Sequence, residues 1–258
     1  MTAPSQDKRR AAVGRFWSRL SARWRDDRGV AAVEFAIILP VMLGLYLSTA
    51  VTTKAYMATR KVALVARALA DIASRQTAAT GNPTVTNSDM TNFFAAAATI
   101  MAPYSSSSLK MTLSRIDVVK DSANNMWAFT KWSVTSNSGL ARPCSGGNNA
   151  FTPPGSPQLS TTNKPLQAAD KSLTDSTYPS FLPPEYTTSG APTGYLIVAD
   201  VTYTYSPGFT FKVFNWSNLT SINTGWSQAF WSRTGLPIVG TALTTNATLC
   251  AQNNPSVS

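Results

Sequence analysis

Residues 30–51 read VAAVEFAIILPVMLGLYLSTAV, an apolar run in which Glu34 is the only charge. About 20 apolar residues in an α-helix cross the hydrocarbon core of a bilayer, so this stretch predicts a transmembrane helix. It is longer than the roughly 7 to 15 apolar residues of a secretory signal, which favours a retained anchor. Pro40 removes a backbone donor inside the run, and we therefore expect a kink in the helix near this residue.

The carboxylate of Glu34 lies near the start of the run. An ionisable group in a membrane segment is costly unless it has a partner or lies near the membrane surface. The residues alone leave two interpretations open: an interfacial glutamate on an ordinary anchor, or a glutamate with a function of its own.

The segment before the run is strongly basic. Residues 1–29 carry eight Lys and Arg against three Asp, which is half of the formal net charge of +10. Because positive residues that flank a membrane helix stay in the cytoplasm, we expect a cytoplasmic N-terminus and an exported head. Basic and apolar residues alternate at helical spacing over 15–24, which predicts an amphipathic helix on anionic membrane lipid. So short a segment is not expected to bind nucleic acid.

The start of the run resembles that of prepilins, in which a basic leader, a glycine and a hydrophobic helix with glutamate five positions after the glycine follow in order. Here they are Arg28-Gly29, the apolar run and Glu34. The pair Glu34-Phe35, within RGVAAVEFAIILPVML, is similar to the TadE-like branch, the pseudopilins or minor pilins of tight adherence (Tad/Flp) pili. The resemblance covers 28–75 closely and the remainder only in outline.

This resemblance implies a processing step and a set of partners. A prepilin peptidase would cut between Gly29 and Val30 and remove residues 1–29. Glu34 of one subunit would then neutralise the new amino terminus of a neighbour, in a complex of pilin or pseudopilin subunits with an inner-membrane assembly platform. A nearby positive charge would compensate for the energetic cost of a carboxylate in lipid.

Beyond the membrane the helix is expected to continue to about residue 75. Residues 52–75 contain no Gly or Pro, and their apolar residues recur in steps of three and four, which predicts an amphipathic extension. This apolar seam could pack on the protein's own head or on neighbouring subunits. Its residues are Ala55, Ala58, Val62, Val65, Leu69 and Ile72.

Residues 76–258 are expected to form one head, so the predicted fold class is α+β: a long membrane helix followed by an antiparallel β-sheet head, as in pilins. A short helix is expected at 89–101, with Ser88 or Asn87 as its cap. The segment 137–194 is rich in Ser, Thr, Gly, Asn and Pro, which predicts a long insertion.

Strands are expected where apolar residues alternate. The first begins at Leu109, and its change of apolar phase suggests a β-bulge near Ser114 and Arg115. The next is expected at 126–134, after a turn at 121–125. The clearest is 195–205, for which 209–214 is the expected hairpin partner.

Cysteine usage predicts one covalent link. Cys144 and Cys250 are the two cysteines, and both are expected in the oxidising compartment outside the inner membrane, so we expect a disulfide. It would close a loop of over a hundred residues. In the chain-entropy account such a loop contributes roughly 4 to 5 kcal/mol. With no histidine in the chain, neither a metal site nor a cofactor is expected.

Catalysis is not predicted. The lack of histidine removes the usual activated serine and cysteine nucleophiles, and the acidic residues form no recognisable motif. We expect Asp117 to be solvated at a strand end. Trp216, Trp226 and Trp231 are instead candidates for an exposed cluster that contacts partners.

These observations predict a pseudopilin that assembles or initiates a Tad/Flp-type adhesive pilus. It would lie in the bacterial inner membrane with a periplasmic head, or be incorporated into a surface pilus. Two alternatives stay open: an uncleaved membrane-anchored periplasmic scaffold, and a surface adhesin that acts through its tryptophans. The missing histidine counts against a membrane-anchored hydrolase.

Overall fold

The computed structural model describes residues 27–120, 126–142, 144, 193–206 and 221–250. The chain forms two compact units, Met1–Thr53 and Lys54–Ser258, called here the N-terminal and C-terminal units. Among the predicted features, the following lie outside the described residues: the leader before residue 27, the turn at 121–125, most of the insertion at 137–194, and the strand at 209–214.

The predicted membrane run belongs to helix α1, Asp27–Ser74, which has 48 residues and continues through Pro40. A kink at Pro40 stays a prediction. In the N-terminal unit the large apolar side chains of this helix are exposed, Phe35 and Tyr46 among them. The helix is long and apolar enough to cross a membrane by length and composition, and its most apolar window is unburied.

The hydroxyl groups at the end of the run and directly after it donate hydrogen bonds to carbonyl oxygens of the same helix. Thr52 Oγ1 donates to the carbonyl oxygen of Ser48, and Thr53 Oγ1 donates to that of Thr49, each at 2.8 Å. Ser48 Oγ bonds in the same way to Leu45 O at 2.9 Å. Hydroxyl groups that are hydrogen-bonded within their own helix need no external partner. This is favourable for a helix that enters the hydrocarbon core of a membrane.

The described strands of the C-terminal unit are β1 Thr84–Thr86, β2 Leu109–Lys120, β3 Met126–Ser136, β4 Gly194–Tyr205, β5 Ile222–Trp231, β6 Val239–Ala242 and β7 Ala247–Leu249. Five of them form an antiparallel sheet in the order β5-β4-β2-β3-β7. The short strands β1 and β6 form a separate parallel pair. The predicted α+β class with an antiparallel sheet is confirmed.

One hydrophobic core joins the second part of α1 to one face of the sheet, called here the helix face. Leu113, Ile197 and Val201 of the sheet are buried in it. All the predicted seam residues take part, with Ile72 half-buried and the others buried. The seam therefore packs on the protein's own head. The C-terminal unit begins at Lys54, within the helix, and the predicted domain bounds at residues 29, 75 and 76 stay predictions.

The short helix α2, Asn87–Thr99, starts two residues earlier than predicted, and the predicted cap residues were wrong. Its cap is Thr86, whose extended backbone ends β1. Thr86 Oγ1 accepts from Asp89 N at 3.3 Å, and Asp89 Oδ2 accepts from Thr86 N at 2.9 Å. Asn87 has another role, since its side chain bonds to the loop at Thr244.

The expected β-bulge exists, but its cause and strand were wrong. The β2–β3 register shifts between Arg115 and Ile116, whose partners are Trp132 and Thr130, so the additional residue is Lys131 of β3. Ile116 is buried on the face of the sheet opposite the helix face. Strand β2 is buried on both faces at this point. Its apolar residues therefore do not alternate regularly with polar ones, although β2 itself contains no additional residue.

Strand β4 pairs with β2 on one side and with β5 on the other, the latter from Leu196↔Trp231 to Tyr205↔Ile222. The expected hairpin partner, 209–214, lies outside the described residues and stays a prediction. The segment INTGWSQAFW lacks regular polar and apolar alternation, and it was not recognised as a strand.

Candidate functional site

The residues of the predicted processing and assembly site lie at the start of α1. Gly29 and Val30 belong to its first turns, and Glu34 and Phe35 follow on the same helix. Glu34 and Phe35 are exposed. Within the described part of the chain, the Glu34 carboxylate makes no hydrogen bond or ion pair. Val30 and Glu34 are separated by one helical turn and so lie on the same side of the helix.

The two cysteines are joined. Cys144 and Cys250 form a disulfide with a Cα–Cα distance of 5.2 Å and a sequence separation of 106. The backbone of Cys250 also donates to Lys131 O at 2.9 Å, directly after β7. The link therefore ties the start of the insertion to the β3–β7 edge of the sheet.

A buried ion pair fixes the same region to the centre of the sheet. Arg142 and Asp200 are 1% and 3% exposed, and Arg142 donates through Nε and Nη2 to the two carboxylate oxygens, each at 2.7 Å. Ser227 Oγ donates to Asp200 as well. Arg142 N donates to Ser133 Oγ at 3.1 Å. This pair was not predicted from the sequence, although a lone carboxylate in the middle of the clearest strand indicates a buried cationic partner.

A second buried pair supports the loop before β6. Arg115 donates through Nε and Nη2 to the carboxylate of Asp117, each at 2.7 Å, and its guanidinium lies 5.0 Å from the centre of the Tyr195 ring. Arg115 Nη1 and Trp132 Nε1 both donate to Ile238 O, at 3.1 and 2.9 Å. The prediction that Asp117 is solvated was wrong, because the residue is buried under this loop.

Burial shifts the ionisation of this cluster. Desolvation raises the pKa of Asp117 above its ordinary value, although the hydrogen bonds from Arg115 act in the opposite direction. Desolvation also lowers the pKa of Lys131, against the favourable charge of Asp117. Both pKa shifts arise because burial removes water from around the charged groups. The contacts of Arg115 and Trp132 with Ile238 give this cluster a structural role.

The tryptophans do not form one described surface. Trp226 pairs with Val201 and lies on the helix face, where it packs against the core. Trp231 pairs with Leu196 and lies on the opposite face, because residues five apart in a strand point to opposite sides. Trp216 lies outside the described residues.

A neutral groove of about 480 Å³ lies between α2 and the adjacent ends of β2 and β3. Phe94, Met111 and Val134 contribute to its apolar floor, and Ser107 and Asn137 to its polar rim. Asn137 Nδ2 donates to Ser107 O at 2.6 Å and to Leu109 O at 2.9 Å. All the described residues that line this groove are uncharged.

A comparison with known protein families agrees with the residues that carry the resemblance. The family model described as TadE-like protein matches residues 29–71, so the recognition of a TadE-like N-terminal segment is confirmed. Neither a curated protein nor a solved structure matches the chain.

Proposed function

We propose that this chain, whose residues 29–71 match TadE-like proteins, is a pseudopilin that assembles or initiates a Tad/Flp-type adhesive pilus. A prepilin peptidase cuts it between Gly29 and Val30, and the processed subunit joins other pilin or pseudopilin subunits at the inner-membrane assembly platform. The role is structural and not enzymatic.

The observation that carries this proposal is the state of Glu34. It is an exposed carboxylate on a helix of membrane-spanning composition, without a partner in the described part of the chain. A carboxylate held near lipid requires a compensating charge. Cleavage after Gly29 creates one, because the freed amine of Val30 on a neighbouring subunit is cationic at neutral pH.

Two further features support the proposed orientation. The basic residues of 1–29 favour a cytoplasmic N-terminus, which leaves the C-terminal unit in the periplasm. The Cys144–Cys250 disulfide supports this assignment, since disulfides persist in oxidising compartments.

The first test is the N-terminal residue of the native protein extracted from membranes, measured by intact mass. The proposal predicts Val30 as the first residue. The matched variant is Gly29→Ala, which should retain the leader because the residue before the cleaved bond has changed. An intact leader on the native protein would contradict the proposal and favour the anchored periplasmic scaffold.

A surface adhesin is the second candidate, and the neutral groove favours it. An apolar floor beneath hydroxyl and amide groups suits a neutral, hydroxyl-rich ligand such as a glycan. The full chain in detergent would be tested on a glycan array beside Ser107→Trp, whose larger side chain would fill the groove. Binding that is lost in this variant would support the adhesin, and equal binding by both would exclude this groove as its site.

A further inference from the structure

The outward side of α1 in the C-terminal unit carries a line of side chains that no core residue covers. Tyr56, Met57 and Leu64 are 50 to 56% exposed, although they are large and apolar. On the same helix, Arg60 lies between Met57 and Leu64, and Arg67 follows Leu64. Both arginines are also exposed. These five residues are called here the arginine stripe. Aromatic residues, Met and Arg together are the composition enriched at protein interfaces.

The spacing along the stripe is that of a helix–helix contact. Met57 and Leu64 are separated by seven residues, as are Arg60 and Arg67. A seven-residue repeat keeps both pairs on one side of the helix, where a second helix can pack along them. The guanidinium of Arg60 lies 5.2 Å from the centre of the Tyr56 ring, so this arginine is already oriented along the surface.

The stripe continues into a shallow groove of about 540 Å³, to which Leu64, Arg67 and Phe230 contribute. At its far end Asp71 accepts from Arg75 and from Arg233, each at 2.6 Å. The hydrogen bond from Arg75 is the largest cause of the lowered pKa of Asp71, so this carboxylate stays ionised and engaged.

The charge of this surface is not balanced by the described residues. Over residues 54–75, Asp71 is the one acidic residue, and the basic residues are Lys54, Arg60, Lys61, Arg67 and Arg75. Its two ion pairs are made with Arg75 and Arg233, and no carboxylate of the described residues pairs with Arg60 or Arg67. Both arginines are therefore available to an external anion.

We propose that the arginine stripe binds an acidic amphipathic helix of a different protein, with apolar residues against Met57 and Leu64 and carboxylates against Arg60 and Arg67. A second copy of this chain is a poor occupant, since it would place arginine against arginine. The inference does not depend on cleavage of the leader, and it applies equally to a pilus subunit and to an anchored scaffold.

The test uses the full chain in uncharged detergent micelles and a labelled synthetic helix about three heptads long, with Leu at its a and d positions and Glu at e and g. A second peptide carries Lys in place of each Glu. The test variant is Arg60→Glu with Arg67→Glu. The matched control is Lys110→Glu with Lys120→Glu, which makes the same change in net charge on β2. Far-ultraviolet circular dichroism checks that each variant is folded.

The wild type and the control should bind the acidic helix, and added salt should weaken this binding. The test variant should lose at least about tenfold in affinity for the acidic helix and gain affinity for the basic one. The proposal is overturned if the wild type does not bind the acidic helix, or if the test variant binds it equally well. It is also overturned if wild type and test variant differ only in binding to vesicles of anionic lipid, which would assign the stripe to a membrane surface.

Discussion

Arg142 and Asp200 form a bidentate ion pair across 58 residues of sequence, and both side chains are almost completely buried. Asp200 lies in the middle of β4, whereas Arg142 follows β3 at the start of the insertion. The pair therefore connects the segment that enters the insertion to the strand that follows it. Together with the Cys144–Cys250 disulfide, it holds this segment on the sheet at two neighbouring points.

Removal of one partner of this pair should destabilise the protein strongly. Arg142→Met leaves the Asp200 carboxylate buried without its cation, for which we expect a loss of about 3 to 5 kcal/mol in the free energy of unfolding. Urea unfolding of the full chain in detergent measures it. Arg142→Met combined with Asp200→Leu should recover part of the loss, because no uncompensated charge remains. A double variant less stable than the single one would contradict this account.

The disulfide should contribute a comparable amount. Cys144→Ser with Cys250→Ser opens a closed loop with a sequence separation of 106, and the chain-entropy account expects a loss of roughly 4 to 5 kcal/mol. Urea unfolding with and without a reductant provides the measurement. The reductant should change the gel mobility and the stability of the wild type while leaving the double variant unaffected. Equal wild-type stability in both conditions would disprove the contribution.

Gly240 should tolerate no side chain. A Cβ atom added there would lie 2.5 Å from Leu243 Cδ1 and 2.9 Å from Trp132 Cδ1, and both neighbours are buried. We expect Gly240→Ala to lower the melting temperature, with a loss of about 1 to 3 kcal/mol typical of overpacking. Gly44→Ala is the control, since nothing lies within 4 Å of its added Cβ. Equal melting temperatures for Gly240→Ala and the wild type would refute the close packing.

Asp117 should make stability depend on pH. Burial raises its pKa above the ordinary 3.8, so the folded protein holds this proton at pH values where the unfolded chain releases it. The resulting stabilisation is present below the unfolded pKa and is lost as the pH rises through the raised folded pKa. Urea unfolding between about pH 3 and pH 7 should therefore show the wild type losing stability relative to Asp117→Asn as the pH rises. A constant difference would contradict the shift.

Glu34 should act in assembly and not in processing. Glu34→Gln keeps the size of the side chain but removes the charge that is proposed to pair with the amino terminus of a neighbour. We expect cleavage after Gly29 to continue and pilus formation to be lost or much reduced. Intact mass reports the cleavage, and electron microscopy reports the fibres. Normal fibres from Glu34→Gln would contradict the proposed charge pairing. They would not contradict the predicted cleavage after Gly29.

Several elements could be predicted from the sequence because their signals are local. The apolar run, the seam of α1, β4 and the cysteine pair each follow from a periodicity or a count, and the structure contains them all. The cap of α2 was misplaced because Ser88, Asn87 and Thr86 are all plausible caps by residue type. Only the extended backbone at the end of β1 selects Thr86.

The sequence by itself determined a long apolar helix with a single carboxylate near its start and an amphipathic continuation, since helix period and apolar length are properties of neighbouring residues. The tertiary structure decided which distant residues meet. It buried Asp117 beside Arg115, brought Asp200 to Arg142, separated Trp226 from Trp231 across the sheet, and chose β5 as the partner of β4. These outcomes depend on strand register and on which faces are covered, and both arise from contacts between segments far apart in the chain.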